Sequence, residues 1–119
     1  MFNKSDGKPT TPIEVSCISA VGIKRKLDNE GYTVKDWNHD VTKREIDEVT
    51  HHTGIYALYH GSTLQYIGLS KDLQRRIQEH RIEDLIPFGN FAWYDIHYKQ
   101  LHEAKRMLID YYDPRYNKS

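Results

Sequence analysis

The sequence predicts an α+β domain: a small three-stranded antiparallel sheet flanked by helices, in the order β-β-α-β-α, behind an N-terminal helical extension. Three observations predict it. Residues 53–59 (TGIYALY) and 64–68 (LQYIG) are rich in β-formers and are joined by Gly61-Ser62, which reads as a hairpin. Residues 71–84 and 101–112 carry apolar side chains at helical spacing. A third β-rich run, 91–98 (FAWYDIHY), separates those two helices. Sheet and helices must bury their apolar faces on one another, which gives the α+β class.

Taken in order, residues 1–15 are polar and irregular, with Pro9 and Pro12. A helix is expected from about Ser16 to Glu30, holding Ile18, Val21 and Leu27, with Lys24 to Lys26 on its outer side and Gly31 as its C-terminal stop. Tyr32-Thr33-Val34 reads as a short strand. Thr42 followed by Glu45 fits a capping box, opening a short helix through Ile46 and Val49. After the hairpin, Leu73 and Ile77 set the core stripe of the first domain helix. Pro87 and Gly89 break the chain before the third strand. On the last helix Leu101, Ala104, Leu108 and Tyr112 share one face, and Pro114 ends it. The division expected is residues 1–50 as an extension that packs on the domain or on a partner, and 51–119 as the domain. Too few apolar residues lie in 1–50 for a core of their own, with Trp37 as the anchor.

The 119 residues suit one domain. A single cysteine, Cys17, excludes an internal disulfide and any Cys-rich zinc site, and favours a reducing compartment. No apolar run is long enough to span a membrane, and the N-terminus lacks a secretory signal, so a cytoplasmic protein is expected. Lys plus Arg equals Asp plus Glu at 17 each, so there is no global basic field to draw in nucleic acid. The charge is nonetheless sorted locally: Lys71, Arg75, Arg76 and Arg81 form one group, Lys105 and Arg106 another.

Gly54-Ile55-Tyr56 and, after nine intervening residues, Tyr66-Ile67-Gly68 lie on adjacent strands, followed by a helix bearing Arg75-Arg76 and His80. Near the end come Leu108-Ile109, Pro114 and Tyr116-Asn117. This pattern, across residues 51–119, resembles the GIY-YIG nuclease family, whose members cut DNA as homing, restriction and repair endonucleases. The resemblance implies hydrolysis of DNA phosphodiesters with Mg²⁺ or Mn²⁺, and catalytic roles for Tyr56, Tyr66, Arg76, His80 and a Glu of the last helix. It implies that Asn117 orients groups nearby by hydrogen bonding.

The residues themselves support part of this. Phosphodiester hydrolysis needs an activated water and charge stabilisation on the phosphoryl oxygens. Tyr56 shares a strand face with Gly54 and Leu58, and glycines beside the tyrosines would leave room for a ligand. A free Tyr, with a pKa of about 10, is a poor base at neutral pH unless a metal, a His or a cation assists it. Counting 100° per residue from Leu73, Arg76 falls at the edge of the buried face, one turn from His80, and Arg75 points to solvent. The fixed charge and donor fork of Arg76 suit a scissile phosphate. A salt bridge to Glu79 or His80 is the alternative. Gly68, Lys71, Arg75, Lys105 and Asn117 are the expected substrate contacts.

The metal ligand departs from the pattern. The family's Glu is matched here by Lys105, whether counted back from Ile109 or from Asn117. Glu103, two residues earlier and about 160° round the helix, is the nearest carboxylate. Glu103 as catalytic and metal-binding residue requires an irregular helix entry near Lys99 or Gln100. Asp95 or Asp110 could serve instead, or the metal site is lost. The remaining His have no zinc spacing, and Trp37, Trp93 and the Tyr-rich tail could stack bases or pack in the core. Two functions follow as expectations: a DNA endonuclease, for which a homodimer would offer a duplex two basic surfaces, or a silent relative that binds nucleic acid or protein.

Overall fold

Alternation along the strands builds a sheet with two buried faces. The structure, a computed structural model, describes residues 19–42, 45–46 and 51–117. Its elements are α1 (Ala20–Asn29), β1 (Val34–Thr42), β2 (Gly54–His60), β3 (Thr63–Ser70), α2 (Leu73–Glu83), β4 (Asn90–Ile96), a 3₁₀ turn (Tyr98–Gln100) and α3 (Leu101–Tyr112). The sheet order is β1-β4-β2-β3, antiparallel throughout.

One face carries Ile55, Ala57, Ile67, Ala92, Tyr94 and Ile96, covered by Ile23 and Leu27 of α1 and by Leu101, Ala104 and Leu108 of α3. The opposite face carries Tyr56, Leu58, Phe91 and Trp93, covered by Leu73 and Ile77 of α2 and by Phe88. This explains the unbroken burial of β2 from Gly54 to Tyr59: as an inner strand between two helical layers it has no solvent side.

The expected three-stranded sheet is corrected to four strands. β1 occupies the edge beside β4, so residues 34–42, assigned by sequence to the extension, belong to the domain's own sheet. Register shifts between Val34 and Asp36 and between Asn38 and Val41 break the period of two. Six of the nine residues, Lys35, Asp36, Asn38, His39, Asp40 and Thr42, are polar and exposed, as befits an edge strand protected against further pairing. Trp37, the expected anchor, is half-buried and stacks on Tyr94, centroids 6.0 Å apart.

Helix ends follow local chemistry. Ser19 caps α1 by accepting from the Gly22 amide at 3.1 Å, and Gly31 leaves it at φ +90°, a conformation that favours glycine. The part of the expected helix before Ser19 lies outside the described residues. Asp72 caps α2, accepting from the Arg75 amide at 3.2 Å. The Thr42–Glu45 capping contact forms, with Glu45 Oε1 accepting from the Thr42 amide and hydroxyl at 2.9 Å each, and residues 45 and 46 make a helical turn. Val49 lies outside the described residues.

Candidate active site

Tyr56 points from β2 to the α2 face, where its partner across the β2–β3 pair is Gly68. The ring lies directly against that glycine: a Cβ on Gly68 would sit 2.4 Å from both Cζ and Oη of Tyr56. The space expected for a ligand is therefore filled by the tyrosine. Gly54 is likewise a packing requirement, since a Cβ there would meet the Tyr94 carbonyl oxygen at 1.9 Å.

α2 crosses this face with Leu73, Ile77 and His80 buried, Arg76 half-buried and Arg75 exposed, the rotation that 100° per residue predicts. His80 Nε2 lies 2.7 Å from Tyr56 Oη. Tyr66, on β3, closes the cluster, its ring centroid 6.1 Å from that of Tyr56 and 5.2 Å from that of His80. Arg76 Nη1 donates to Glu79 Oε1 at 3.0 Å and approaches Glu83 Oε1 at 4.0 Å. Its charge also acts on the Tyr56 hydroxyl, favouring the ionised form. Arg76 thus reaches the tyrosines and makes the helix salt bridge together.

Electrostatics assigns the protons. Burial raises the Tyr56 hydroxyl well above the ordinary phenol value, Tyr66 adds to this, and Arg76 only partly offsets it. Burial lowers His80, and the Arg76 charge lowers it further, against weaker opposing pulls from Glu83 and Glu79. The pair at neutral pH is a phenol and a neutral imidazole. Tyr56 therefore donates to His80 Nε2, and the imidazole proton sits on Nδ1. Tyr56 is 1% exposed and His80 5%, so both lie beneath the surface, and half-buried Tyr66 and Arg76 are what an approaching phosphate meets.

Other expected residues are placed elsewhere. Asn117 spends its amide on the backbone of β3: Oδ1 accepts from the Ile67 amide at 2.8 Å and Nδ2 donates to the Ile67 carbonyl at 2.9 Å. With Tyr116 donating to the Gln65 carbonyl at 2.7 Å, it ties the tail to the sheet edge. The hydrogen bonding expected of Asn117 is thus made to the backbone of β3, and its amide is not turned toward the tyrosines. Lys71 is exposed just before α2, its ammonium 5.9 Å from the centre of the Tyr98 ring.

The assignment of Glu103 is also corrected. Its Oε1 accepts a 2.9 Å hydrogen bond from the Tyr32 hydroxyl, and Tyr32 belongs to the α1–α3 core on the far face of the sheet from Tyr56 and His80. An irregular entry to α3 exists, the 3₁₀ turn Tyr98–Gln100, yet it does not bring Glu103 to the tyrosines. Lys105 is half-buried on the flank of α3 opposite Glu103. Of the other acids considered, Asp110 is exposed on α3 and Asp95 is bonded to His52 at 2.8 Å. Among the described residues, no group of three or more His, Cys, Asp or Glu side chains converges to hold a metal ion.

Sequence reasoning missed one cluster. His52 bonds Asp95 through Nδ1 and stacks on Trp93, centroids 4.3 Å apart, while its carbonyl accepts from the Leu73 amide at the start of α2, at 2.9 Å. Residues 52, 93 and 95 are brought together only by the β2–β4 pairing, so no local spacing announced them.

An antiparallel sheet between helical layers, with two tyrosines on neighbouring strands facing an Arg- and His-bearing helix, defines a class: the chain has the GIY-YIG endonuclease fold. The solved structure that carries this is the N-terminal endonuclease domain of UvrC from Thermotoga maritima, a point mutant bound to its catalytic divalent cation. It matches with a TM-score of 0.53 at 19% identity, over 65% of this chain and 94% of that one. No protein-family model and no curated protein sequence matches the chain.

Proposed function

We propose that the protein is an endonuclease that hydrolyses DNA phosphodiester bonds at the surface formed by Tyr66 and Arg76. The observation that carries this is the 2.7 Å contact between the buried Tyr56 hydroxyl and a neutral His80, with half-buried Arg76 one turn before His80 on the same helix. Arg76 is the phosphate ligand, its guanidinium matching two phosphoryl oxygens and offsetting the charge that builds on them. Tyr66 orients the attacking water. Tyr56 accepts a proton from that water while passing its own to His80 Nε2, so the base lies one residue behind the surface. The imidazolium formed is stabilised by Glu79 and Glu83 nearby. The leaving oxygen takes a proton from solvent.

The UvrC domain holds a divalent cation, and Mg²⁺ or Mn²⁺ is the ion that the family resemblance implies. The donor set of this chain does not fit it. Glu103 is engaged across the sheet by Tyr32, Glu79 faces the Arg76 guanidinium, and Lys105 stands at the matched position. The steps above accordingly run through side chains alone. Lys105 and the engagement of Glu103 favour a second reading, a GIY-YIG relative that holds nucleic acid or protein without cutting.

Incubation of supercoiled plasmid with the full chain, in Mg²⁺, in Mn²⁺ and in EDTA, tests both. Nicking that survives EDTA and disappears in Arg76→Ala supports the proposal. Nicking abolished by EDTA returns a metal to the site, and retention of plasmid without nicking under any condition selects the second reading. A homodimer, offering a duplex two such surfaces, would show as a doubled mass in sedimentation.

A further inference from the structure

We propose that the cavity where β2 begins and β4 ends is a nucleobase subsite, taking one unstacked base of a single-stranded segment of the substrate. It rests on the reading of the protein as acting on nucleic acid. The cavity has a volume of about 310 Å³, at the low end for small-molecule sites and matched to a single nucleoside rather than a larger ligand.

Its chemistry is that of a stacking platform. Tyr98 is 54% exposed and its ring stacks on His97, centroids 4.7 Å apart and planes 26° from parallel. Among the described residues, no layer of the fold covers this pair. The platform is held in place because His97 caps the 3₁₀ turn, Nδ1 accepting from the Lys99 amide at 3.2 Å. The facing wall is equally fixed: His52 lies flat on buried Trp93 and is bonded through Nδ1 to Asp95, which leaves Nε2 for the edge of a base. Rigid aromatics cost little entropy on binding, and base–aromatic stacking is tolerant of sequence.

Charge complements this. Lys35 lines the cavity and Lys71 stands by the Tyr98 ring, both available to the phosphates that flank a bound base. Two acids near the cavity are hydrogen-bonded to histidines and keep their negative charge, Asp72 with His51 at 2.9 Å and Asp95 with His52 at 2.8 Å. With Asp36, opposite Asp95 across the β1–β4 pair, they are the acids that oppose an anion here, so the phosphates are met by the two lysines and the acids face the base. The cavity also adjoins the phosphate site. Lys71 precedes the cap of α2, and Arg76 lies four residues beyond Asp72, about 6 Å along the axis. A strand held at Arg76 can thus cross the first turn of α2 and lay a base on Tyr98. Bases inside a duplex are stacked and cannot do this, which is why the occupant is single-stranded.

The test measures binding of a fluorescent dT₁₂ oligonucleotide to the full chain by anisotropy, with plasmid nicking assayed on the same preparations. Tyr98→Ala should weaken dT₁₂ binding about tenfold or more, the range of losing one base stack, while Tyr98→Phe keeps it. Lys35→Ala should lower the salt dependence without removing the effect of Tyr98. Tyr98 is exposed and belongs to neither core cluster of the described residues, so circular dichroism should be unchanged in the variants. Equal binding by wild type and Tyr98→Ala overturns the subsite, as does an equal loss in Tyr98→Phe. No dT₁₂ binding by wild type overturns it too, and nicking in that preparation would leave the proposed endonuclease standing.

Discussion

Replacing Gly68 with alanine should damage the site without touching any residue expected to meet substrate. Gly68 is not at a positive φ, so alanine is allowed by the backbone and the consequence comes from contact alone. The new Cβ would lie 2.4 Å from Cζ and Oη of Tyr56 and 2.8 Å from Cε1. Ordinary carbon contacts need about 3.5–4.0 Å, so the ring must move by about 1 Å. The ring end cannot swing into solvent, because Tyr56 is 1% exposed and packed against Tyr66 and His80. A movement of that size takes the 2.7 Å contact with His80 out of hydrogen-bonding range. Overpacking costs about 1–3 kcal/mol, and the lost hydrogen bond about 1 kcal/mol more, against a total stability of about 5–15 kcal/mol for a small domain. Urea unfolding should register a loss of about 2–4 kcal/mol, with nicking falling alongside. The same substitution beside Tyr56→Ala should cost almost nothing, since the methyl then enters vacated space. A double-mutant cycle with no coupling, or a Gly68→Ala protein within about 0.5 kcal/mol of wild type, would refute the packing argument.

Arg76→Ala should abolish nicking with the fold intact, whereas Arg75→Ala should reduce only DNA affinity and its salt dependence; equal loss of turnover in both would contradict the helix-face assignment. His80 has a folded pKa below its unfolded value of about 6.5, so between the two the unfolded chain carries a proton the folded one lacks. The stability this gives is present above about pH 6.5 and is lost as pH falls toward the folded value; urea midpoints between pH 7.5 and 5 should fall less steeply in His80→Gln than in wild type. Glu103→Gln should leave nicking unchanged and cost at most about 1 kcal/mol, since an amide oxygen still accepts from Tyr32. Loss of nicking in that variant would return the metal role to Glu103.

What could be read from the sequence was what depends on neighbours in the chain. The last helix was bounded correctly at Leu101 and Tyr112 because Leu101, Ala104 and Leu108 mark one stripe and Pro114 bars continuation. The rotation of Arg76 toward the tyrosines and Arg75 away from them followed from the position of Leu73 alone. β1 was not legible at full length, because two register shifts scramble its alternation and its exposed edge needs no apolar face. The purpose of Gly68 was misread for a related reason: spacing shows that a glycine neighbours a tyrosine, but only strand pairing shows that the tyrosine ring occupies the glycine's own space. Glu103 is the clearest case. Its direction is set by how α3 sits on α1, and Tyr32, which captures it, lies 71 residues away in the chain. Helical geometry placed Glu103 well off the buried stripe, and the carboxylate is indeed at the exposed rim of that helix. A metal-binding carboxylate at the site was therefore supplied by family resemblance and never by the residues' own spacing, and the packing does not deliver it.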